Sequence, residues 1–533
     1  MPYRSDEHTI GTEGDQLDPT GWDRTELRQA LDWRRIEFDR QSATATGTSP
    51  VLVGSTGPFA TLAGRHTLAA GGSATDAVLS TAFTQIALAL GSWVSYAGLF
   101  AMVHYSAATG SITSVSAGFA TFAQENHPQQ IPAAPQPSGR TALVPGFIAG
   151  AHAAHSHSGR LPWDQLWSPA RYVVDRGIPV NEHLARMLAL RADVLTRTGE
   201  GRAAFAPDGR LPHVGERLAQ PQLAATLAAL AEHGPDWMYH GPWAERFVSL
   251  VRREGGQVIL EDLAGYRARS AEPARGFYAG HEIATLPPPD TGGTELLNTL
   301  ALLEQAGIGE PALDPQALAG FLSALDGPQS AGTHSDYVVA VDAEGNLAAL
   351  CHSINSAMWG TTGIVVDGIL IPDPAAFQQA ALAPLAPGEH LPMPVEVVIA
   401  LRGSHPVLAC SSIGVGLHPA TVLCLHRVLA LGQPLEAVVD APLIHGHSLL
   451  VGDSVTSVPA QDNCGDLSRV IDDRYPPACL TAAREAGHAV SPRPADDPML
   501  PRGFWSAIAT DPHTGKHTGA RTPYGQGPIR TNK

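Results

Sequence analysis

Residues 332–342 read GTHSDYVVAVD, and residues 343–355 continue as AEGNLAALCHSIN. Two β-rich runs flank the segment 342–346, in which Gly345 and Asn346 accept a left-handed backbone. This pattern predicts a β-hairpin, because short turns with such residues connect paired strands. The rest of the chain is interpreted outward from this hairpin.

The open end of the predicted hairpin carries several hydroxyl groups. Because side chains alternate between the two faces of a strand, Thr333 and Ser335 share a face, and Ser353 and Asn355 return beside them on the second strand. A Thr or Ser hydroxyl becomes a nucleophile when the chain is cut just before it, since the new α-amine titrates near neutrality and accepts the hydroxyl proton. The pattern is therefore compatible with nucleophilic catalysis.

Length and charge limit the classes of partner. At 533 residues the chain exceeds the usual size of a single core, which predicts a large composite domain. The 34 Lys and Arg residues against 51 Asp and Glu residues give a net charge of −17, without a basic run. Nucleic acid and anionic membranes are therefore not expected as partners. A small-molecule substrate is expected instead.

The cysteines and the N-terminal segment bear on the compartment. The five cysteines form no C-x-x-C pair and are odd in number, so reduced thiols are expected instead of a disulfide framework. Residues 1–18 lack the apolar core that a signal peptide requires. These features predict a cytoplasmic protein.

Metal and cofactor signals are weak. His152, His155 and His157 are close in sequence but have no carboxylate or Cys partner at ligand spacing, so no metal site is expected. No Walker loop, dinucleotide glycine motif or Gly-x-Ser-x-Gly elbow stands in a suitable strand and helix context. We therefore expect no cofactor.

Further motifs occur in a fixed order around the hairpin. The segment 71–90 has the composition of a helix capped by Ser73 or Thr75 and is interrupted by polar residues, which favours a core helix over a membrane span. Together with the hairpin, the ordered motifs resemble those of the γ-glutamyltransferase family of N-terminal-nucleophile hydrolases, which cleave themselves before a Thr. The segments that carry the resemblance are 71–77, 144–146, 161–163, 261–266 and 287–293.

The resemblance implies a fold and a division of the chain. The expected fold is α+β, a four-layer αββα sandwich in which each sheet contains residues from both sides of residue 333. One composite domain would be cut into a large portion, 1–332, whose residues 1–50 are leader and linker, and a small portion, 333–533, that starts at the nucleophile. The two fragments would remain partners of each other, and the oligomeric state is left open.

The resemblance also implies catalytic residues. Thr333 is favoured as the nucleophile by its residue type and by the preceding Gly332, whereas ungapped spacing to Ser353 favours Ser335. Ser353 and Asn355 on the neighbouring strand match further catalytic positions of the family. Both nucleophile candidates remain open, with Thr333 preferred.

A second catalytic element is predicted further along the chain. Residues 411–416 form a small-residue loop between a predicted strand, 407–410, and a predicted helix, 419–431. The loop matches the oxyanion-hole loop of the family, which assigns the backbone N–H groups of Gly414 and Val415 as donors to the tetrahedral oxyanion.

The residues that would bind a glutamyl group are missing. Gly118 stands where the family keeps an Arg for the α-carboxylate, and Val395 marks the place of its paired serines. The acidic stretch that binds the α-amine is replaced by residues 372–376, where Asp373 could still serve, with Glu396 as another candidate. Losing these anchors together predicts poor discrimination for a zwitterionic glutamyl end.

Three functions follow as hypotheses. The first is a self-cleaving hydrolase that acts on a non-glutamyl small molecule, as in the branch of the family that hydrolyses a carbon–carbon bond in 4-alkylproline biosynthesis for lincosamide and pyrrolobenzodiazepine antibiotics. The second is a γ-glutamyl hydrolase or transferase acting on glutathione-like substrates. The third is an inactive relative that binds a metabolite.

Overall fold

A computed structural model describes residues 15–32, 41–48, 50–326, 335–447, 468–497, 500–523 and 530–531. Its strands are β1 (Ala43–Gly47), β2 (Val51–Gly54), β3 (Leu99–Tyr105), β4 (Ile112–Ala117), β5 (Ile178–Pro179), β6 (Arg217–Leu218), β7 (Arg269–Ala271), β8 (Ala274–Tyr278), β9 (His281–Thr285), β10 (Ser335–Val341), β11 (Leu347–Ser353), β12 (Val365–Val366), β13 (Ile369–Leu370), β14 (Glu396–Arg402), β15 (His405–Ile413), β16 (Ile444–His447), β17 (Arg469–Asp472), β18 (Val490–Arg493), β19 (Phe504–Thr510), β20 (His517–Arg521) and β21 (Arg530–Thr531).

The same residues contain helices on both outer sides of the sheets. They are α1 (Arg24–Ala30), α2 (Pro58–Ala69), α3 (Ala74–Ala89), α4 (Phe147–Ser158), α5 (Ser168–Asp175), α6 (Glu182–Leu190), α7 (Ala192–Leu195), α8 (Gly199–Phe205), α9 (Pro221–His233), α10 (Pro235–Tyr239), α11 (Pro242–Arg253), α12 (Leu260–Ala264), α13 (Thr291–Ala306), α14 (Pro315–Leu325), α15 (Pro374–Phe377), α16 (Gln379–Leu382), α17 (Leu417–Leu425), α18 (Leu435–Asp440) and α19 (Pro477–Glu485).

Two seven-stranded antiparallel sheets form the centre of the molecule. Sheet I has the order β1-β20-β19-β15-β14-β9-β8, and sheet II has the order β21-β2-β10-β11-β3-β4-β7. Each sheet therefore combines strands from both sides of residue 333, as the sequence predicts. The proposed division of the chain at that residue stays a prediction.

Three apolar cores separate four layers. One core lies between the outer face of sheet II and helices that include α2, α3, α4 and α9. A second lies between the outer face of sheet I and helices that include α13, α14, α17 and α19. The third fills the space between the sheets. This arrangement is the predicted αββα sandwich, and the fold prediction is confirmed.

The predicted hairpin is the β10–β11 pair at the centre of sheet II. The N–H of Asp342 donates to the carbonyl of Asn346 at 3.1 Å, and Gly345 has a φ of 85°. A left-handed residue at this point of the turn explains why glycine is used there.

Other local predictions have mixed outcomes. The helix predicted at 71–90 is α3, which Ser73 caps by accepting from the N–H of Asp76. The composition of residues 364–371 predicts one continuous strand, and this prediction is wrong, because Asp367 and Gly368 adopt positive φ and split the segment into the pair β12–β13. Four cysteines are buried free thiols, and Cys464 lies outside the described residues. Within the described ranges, no helix is both long and apolar enough to cross a membrane.

Candidate active site

The hairpin register pairs the two candidate serines directly. Ser335 is opposite Ser353 across the β10–β11 ladder, and both are buried, at 7% and 2% exposure. Tyr337 and Cys351 lie two residues further along these strands, on the same faces, in the core between the sheets. The serines therefore face the space between the sheets. Thr333, the preferred nucleophile, lies outside the described residues.

Asn355 follows Ser353 in a constrained conformation. Its φ is 50°, which is uncommon for a residue other than glycine, and its N–H donates to Ser353 Oγ at 2.9 Å. The amide of Gln378 donates to Asn355 Oδ1 at 3.2 Å. The structure thus brings Asn355 together with Ser353, as predicted, and adds Gln378, which no sequence motif indicated.

Asp336 is a buried carboxylate behind the serine pair that sequence reasoning missed. It accepts hydrogen bonds from Ser55 Oγ at 2.7 Å, Thr56 Oγ1 at 2.7 Å and Trp93 Nε1 at 3.0 Å. Burial raises the pKa of Asp336 to about 6, against the lowering effect of these three donors. The contacts fix the open end of β10 to two segments of the large portion. The one sequence signal was a charged residue in an otherwise uncharged strand.

The loop after β15 has the geometry expected of an oxyanion-binding loop. Gly414 has a φ of 89°, and the N–H of Gly416 donates to the carbonyl of Arg502 at 3.0 Å before α17 begins. Among the described residues, the N–H groups of Gly414 and Val415 have no hydrogen-bond acceptor, and both residues are half-buried. Two adjacent backbone donors are therefore available to a developing oxyanion.

The serine strand and the loop strand lie on facing sheets. The hydroxyl of Tyr337 in β10 hydrogen-bonds to Ser506 in β19, and Ser506 is level with Ser411 in β15. Ser335 is two residues from Tyr337, and Ile413 is two residues from Ser411, a distance of about 7 Å along each strand. The predicted nucleophile strand and the predicted oxyanion loop therefore lie on facing sheets, each about two residues from the level of the Tyr337–Ser506 contact.

Gly118 is enclosed by the chain around it. A Cβ on Gly118 would lie 3.0 Å from the carbonyl oxygen of Leu391 and 3.2 Å from Met393 Cγ. The Gly118 carbonyl accepts a hydrogen bond from the Tyr266 hydroxyl at 2.5 Å. A longer side chain here would displace the 391–393 segment, so apolar groups and backbone occupy the space around Gly118, the residue that the resemblance aligns with the family's Arg.

Val395 also lies in a tightly packed place. It precedes β14, is 4% exposed and belongs to the core between the sheets. A Cβ on Gly292 would lie 2.3 Å from its carbonyl oxygen, so the first turn of α13 packs directly on this backbone. The side chain of Val395 offers no hydroxyl at the place where the resemblance predicts the paired serines of the family.

Asp373 stabilises a loop. It is fully buried, and its Oδ2 accepts from the N–H of Thr361 at 2.8 Å and from Thr361 Oγ1 at 2.5 Å. Its Oδ1 has no hydrogen-bond partner among the described residues. Arg191 donates to the carbonyl of Gly360 in the same loop. Burial raises the pKa of Asp373 to about 6. Its observed role is to hold the loop after Asn355 in place.

Glu396 faces away from the space between the sheets. Its neighbours on the same face of β14, Val398 and Ala400, belong to the core under the helices of sheet I. Its carboxylate contacts His418 in α17. An amine bound between the sheets would be on the opposite face of the strand.

The pKa of Asp373 predicts a pH-dependent difference in stability. Because the folded-state pKa is raised from 3.8 to about 6, the carboxyl's contribution to stability is complete below pH 4 and is lost as the pH rises through 6. Asp373→Asn keeps an oxygen for Thr361 and does not titrate. The free energy of unfolding of the variant minus that of the wild type should therefore increase by about 3 kcal/mol between pH 4 and pH 7.5, since only the wild type loses stability over this range.

Urea unfolding at several pH values measures this effect. Asp511→Asn is a suitable control, because Asp511 is an exposed carboxylate whose pKa is lowered by Thr514 and backbone hydrogen bonds. The control should show no gain with rising pH. A pH-independent difference for Asp373→Asn would contradict the assigned burial cost.

The histidines considered as metal ligands lie on one helix without forming a ligand set. His155 Nε2 is 2.8 Å from the carbonyl oxygen of Leu161, and His152 contacts the ring of Trp163 edge-on. Across the described residues, no group of three or more His, Cys, Asp or Glu side chains is placed to hold a metal ion.

Sequence comparison identifies relatives over part of the chain. The γ-glutamyltranspeptidase family model matches residues 60–325. Glutathione hydrolase 2 of Arabidopsis thaliana is 33% identical over 183 residues, covering 34% of this chain and 32% of that protein. The acylase ACY 1 proenzyme of Pseudomonas sp. (strain SE83) is 30% identical over 292 residues, covering 52% of this chain and 51% of that protein. The chain thus spans a third to a half of the length of these curated relatives.

Structural comparison extends the likeness to nearly the whole fold. The cephalosporin acylase from Bacillus halodurans superposes with a TM-score of 0.77 at 20% identity, covering 92% of this chain and 97% of that one. At this identity the match concerns the fold alone. Together with the sequence matches, it confirms the resemblance found in the motifs. The chain is thus similar to the γ-glutamyltransferase-like N-terminal-nucleophile hydrolases, with the family model matching residues 60–325.

Proposed function

We propose that this protein is a self-cleaving hydrolase that acts on a non-glutamyl small molecule. Its reaction would be the hydrolytic cleavage of a carbon–carbon bond, of the kind used in 4-alkylproline-type antibiotic biosynthesis. Thr333 or Ser335 would be the nucleophile, and the N–H groups of Gly414 and Val415 would bind the oxyanion.

The tightly packed surroundings of Gly118 support the proposal that the substrate is not a γ-glutamyl compound. A γ-glutamyl group presents a carboxylate and an ammonium that need charged partners when they are desolvated. Here Leu391 and Met393 enclose the carboxylate position, and Asp373 is engaged with Thr361. Acyl groups without these charges fit such surroundings better.

The same catalytic parts suit a ketone. Attack of the hydroxyl on an activated ketone gives a tetrahedral oxyanion, as attack on an amide does, so the 414–416 loop can stabilise either one. Collapse of the adduct breaks the carbon–carbon bond and leaves an ester on the nucleophile. The leaving carbon departs as an enolate and takes up a proton, and water then hydrolyses the ester. The substrate must therefore carry a second carbonyl that stabilises the enolate.

Acetylpyruvate tests this chemistry, because its 2,4-diketo group provides both carbonyls. The self-cleaved protein should convert it to acetate and pyruvate, which coupled lactate dehydrogenase detects. Thr333→Ala and Ser335→Ala identify the hydroxyl required, and 4-nitroacetanilide supplies an amide for comparison. Turnover of the amide alone would contradict the carbon–carbon proposal.

Two alternatives remain in view. A γ-glutamyl hydrolase or transferase is favoured by the relatives named glutathione hydrolases. An inactive metabolite-binding relative would remain one band on a denaturing gel and turn over no ester or amide. A gel after prolonged incubation separates this alternative from both enzymes.

A further inference from the structure

Glu396, His418 and Thr299 form a buried polar chain that the proposed reaction does not use. Glu396 Oε1 lies 2.5 Å from His418 Nδ1, and His418 Nε2 lies 3.0 Å from Thr299 Oγ1. The three residues are 1%, 6% and 7% exposed and come from β14, α17 and α13. The chain therefore connects three elements on the helix side of sheet I.

The hydrogen bonds define where the protons lie. The Thr299 hydroxyl donates to the carbonyl of Glu295 at 3.0 Å, so it accepts from His418 Nε2. His418 Nδ1 and Glu396 then share one proton, either as imidazolium with carboxylate or as neutral imidazole with carboxylic acid. Both forms require the same spacing between β14 and α17.

Stability alone does not explain this pair. Burying two ionisable groups costs desolvation energy that their attraction often fails to exceed, and an apolar pair of similar volume is commonly as stable. Glu396 Oε2 is buried without a hydrogen-bond partner among the described residues, which adds to that cost. The presence of this pair therefore needs an explanation other than stability.

The position of His418 in the fold explains the presence of the pair. His418 is the second residue of α17, which begins directly after the loop of Gly414, Val415 and Gly416. The direction of the free N–H groups in this loop depends on where the helix begins relative to sheet I. A contact that fixes the first turn of α17 on β14 therefore fixes the donors as well.

We propose that Glu396, acting through His418, is a positioning residue for the backbone donors of Gly414 and Val415. The catalytic consequence rests on the proposed function, because it assumes that these donors bind the oxyanion. An interaction that orients transition-state donors affects kcat more than KM.

Two pairs of variants separate this role from general packing. His418→Asn keeps an amide nitrogen near the Nδ1 position, and Glu396→Gln keeps hydrogen-bonding groups, so both retain the contact. His418→Gln places its amide nitrogen near the Nε2 position, and Glu396→Leu removes the polar end, so both break it. His426→Asn is the matched control, since His426 is buried further along the same helical segment and contacts Tyr278.

Hydrogen–deuterium exchange of residues 416–420 gives a readout that needs no activity. We expect exchange at least about tenfold faster in the two contact-breaking variants, and within about threefold of the wild type in the two contact-keeping variants and the control. Equal exchange in all four variants, or unchanged exchange in the breaking pair, would show that the contact does not position the loop.

Hydrolysis of 4-nitrophenyl acetate gives the catalytic readout. The breaking pair should lose about 10²-fold in kcat with KM nearly unchanged, and the keeping pair should stay within a few-fold. Faster exchange with unchanged kcat would overturn the inference. If the wild type turns over neither acetylpyruvate nor the ester, the proposed function fails, and the exchange data alone decide the positioning role.

Discussion

On a denaturing gel, the purified chain is expected to separate into two bands, corresponding to residues 1–332 and 333–533. The hydroxyl of Thr333 would attack the carbonyl carbon of Gly332, and the Gly332–Thr333 C–N bond would break, which forms an ester and frees the protonated amine of Thr333. Water would then hydrolyse the ester to the Gly332 carboxylate and the free Thr333 hydroxyl. Thr333→Ala removes that hydroxyl and should leave a single intact band, a complete loss of cleavage. Sequencing of the smaller fragment should give Thr-His-Ser-Asp.

Ser335 provides the internal comparison for this experiment. A fragment that begins Ser-Asp-Tyr, together with cleavage that survives in Thr333→Ala and stops in Ser335→Ala, would transfer the role to Ser335. Thr46→Ala is a control, because Thr46 is a hydroxyl residue on β1 whose partner is Thr518. A wild-type chain that stays intact under all conditions would contradict self-cleavage.

Features set by local sequence were predictable. The hairpin follows from strand alternation and from the turn at Gly345, and the register of Ser335 opposite Ser353 follows from the spacing. The cap at Ser73 is likewise encoded by neighbours in sequence. Local geometry is sufficient in each of these cases. The loop predicted at 411–416 is shorter than expected, because Ser411, Ser412 and Ile413 pair with β19 and belong to β15.

Features set by distant parts of the chain were not predictable. Asp336 is held by Ser55, which is 281 residues away, so no local pattern shows that this carboxylate is buried and hydrogen-bonded. The enclosure of Gly118 depends on Leu391 and Met393, and the contact of Glu396 depends on the packing of α17. A single sequence shows neither which strands distant in the chain pair nor which face a helix covers.

We expect the protein to hydrolyse a γ-glutamyl substrate very poorly, and this is the strongest test of its specificity. With γ-glutamyl-4-nitroanilide, the self-cleaved protein should show kcat/KM on the order of 10³- to 10⁴-fold below that of an ordinary glutathione hydrolase assayed in parallel. Sites that hydrogen-bond a polar group discriminate by comparable factors, and here the groups that would bind the glutamyl carboxylate and amine are absent or engaged. Self-cleavage should proceed normally, since it needs only the nucleophile and its surroundings.

The competing expectation is that Asp373 and Arg402 have taken over the glutamyl charges. Arg402 ends β14, six residues from Glu396, which places it about 20 Å along the strand from the Val395 end. Asp373 is engaged by Thr361, so its removal should destabilise the loop after Asn355 instead of raising KM selectively. Efficient γ-glutamyl turnover with an ordinary KM, raised by Asp373→Ala and unaffected by the matched change Asp511→Ala, would overturn the substrate proposal. The fold and the nucleophile would stand under that outcome, because neither depends on which acyl group the enclosed surroundings of Gly118 admit.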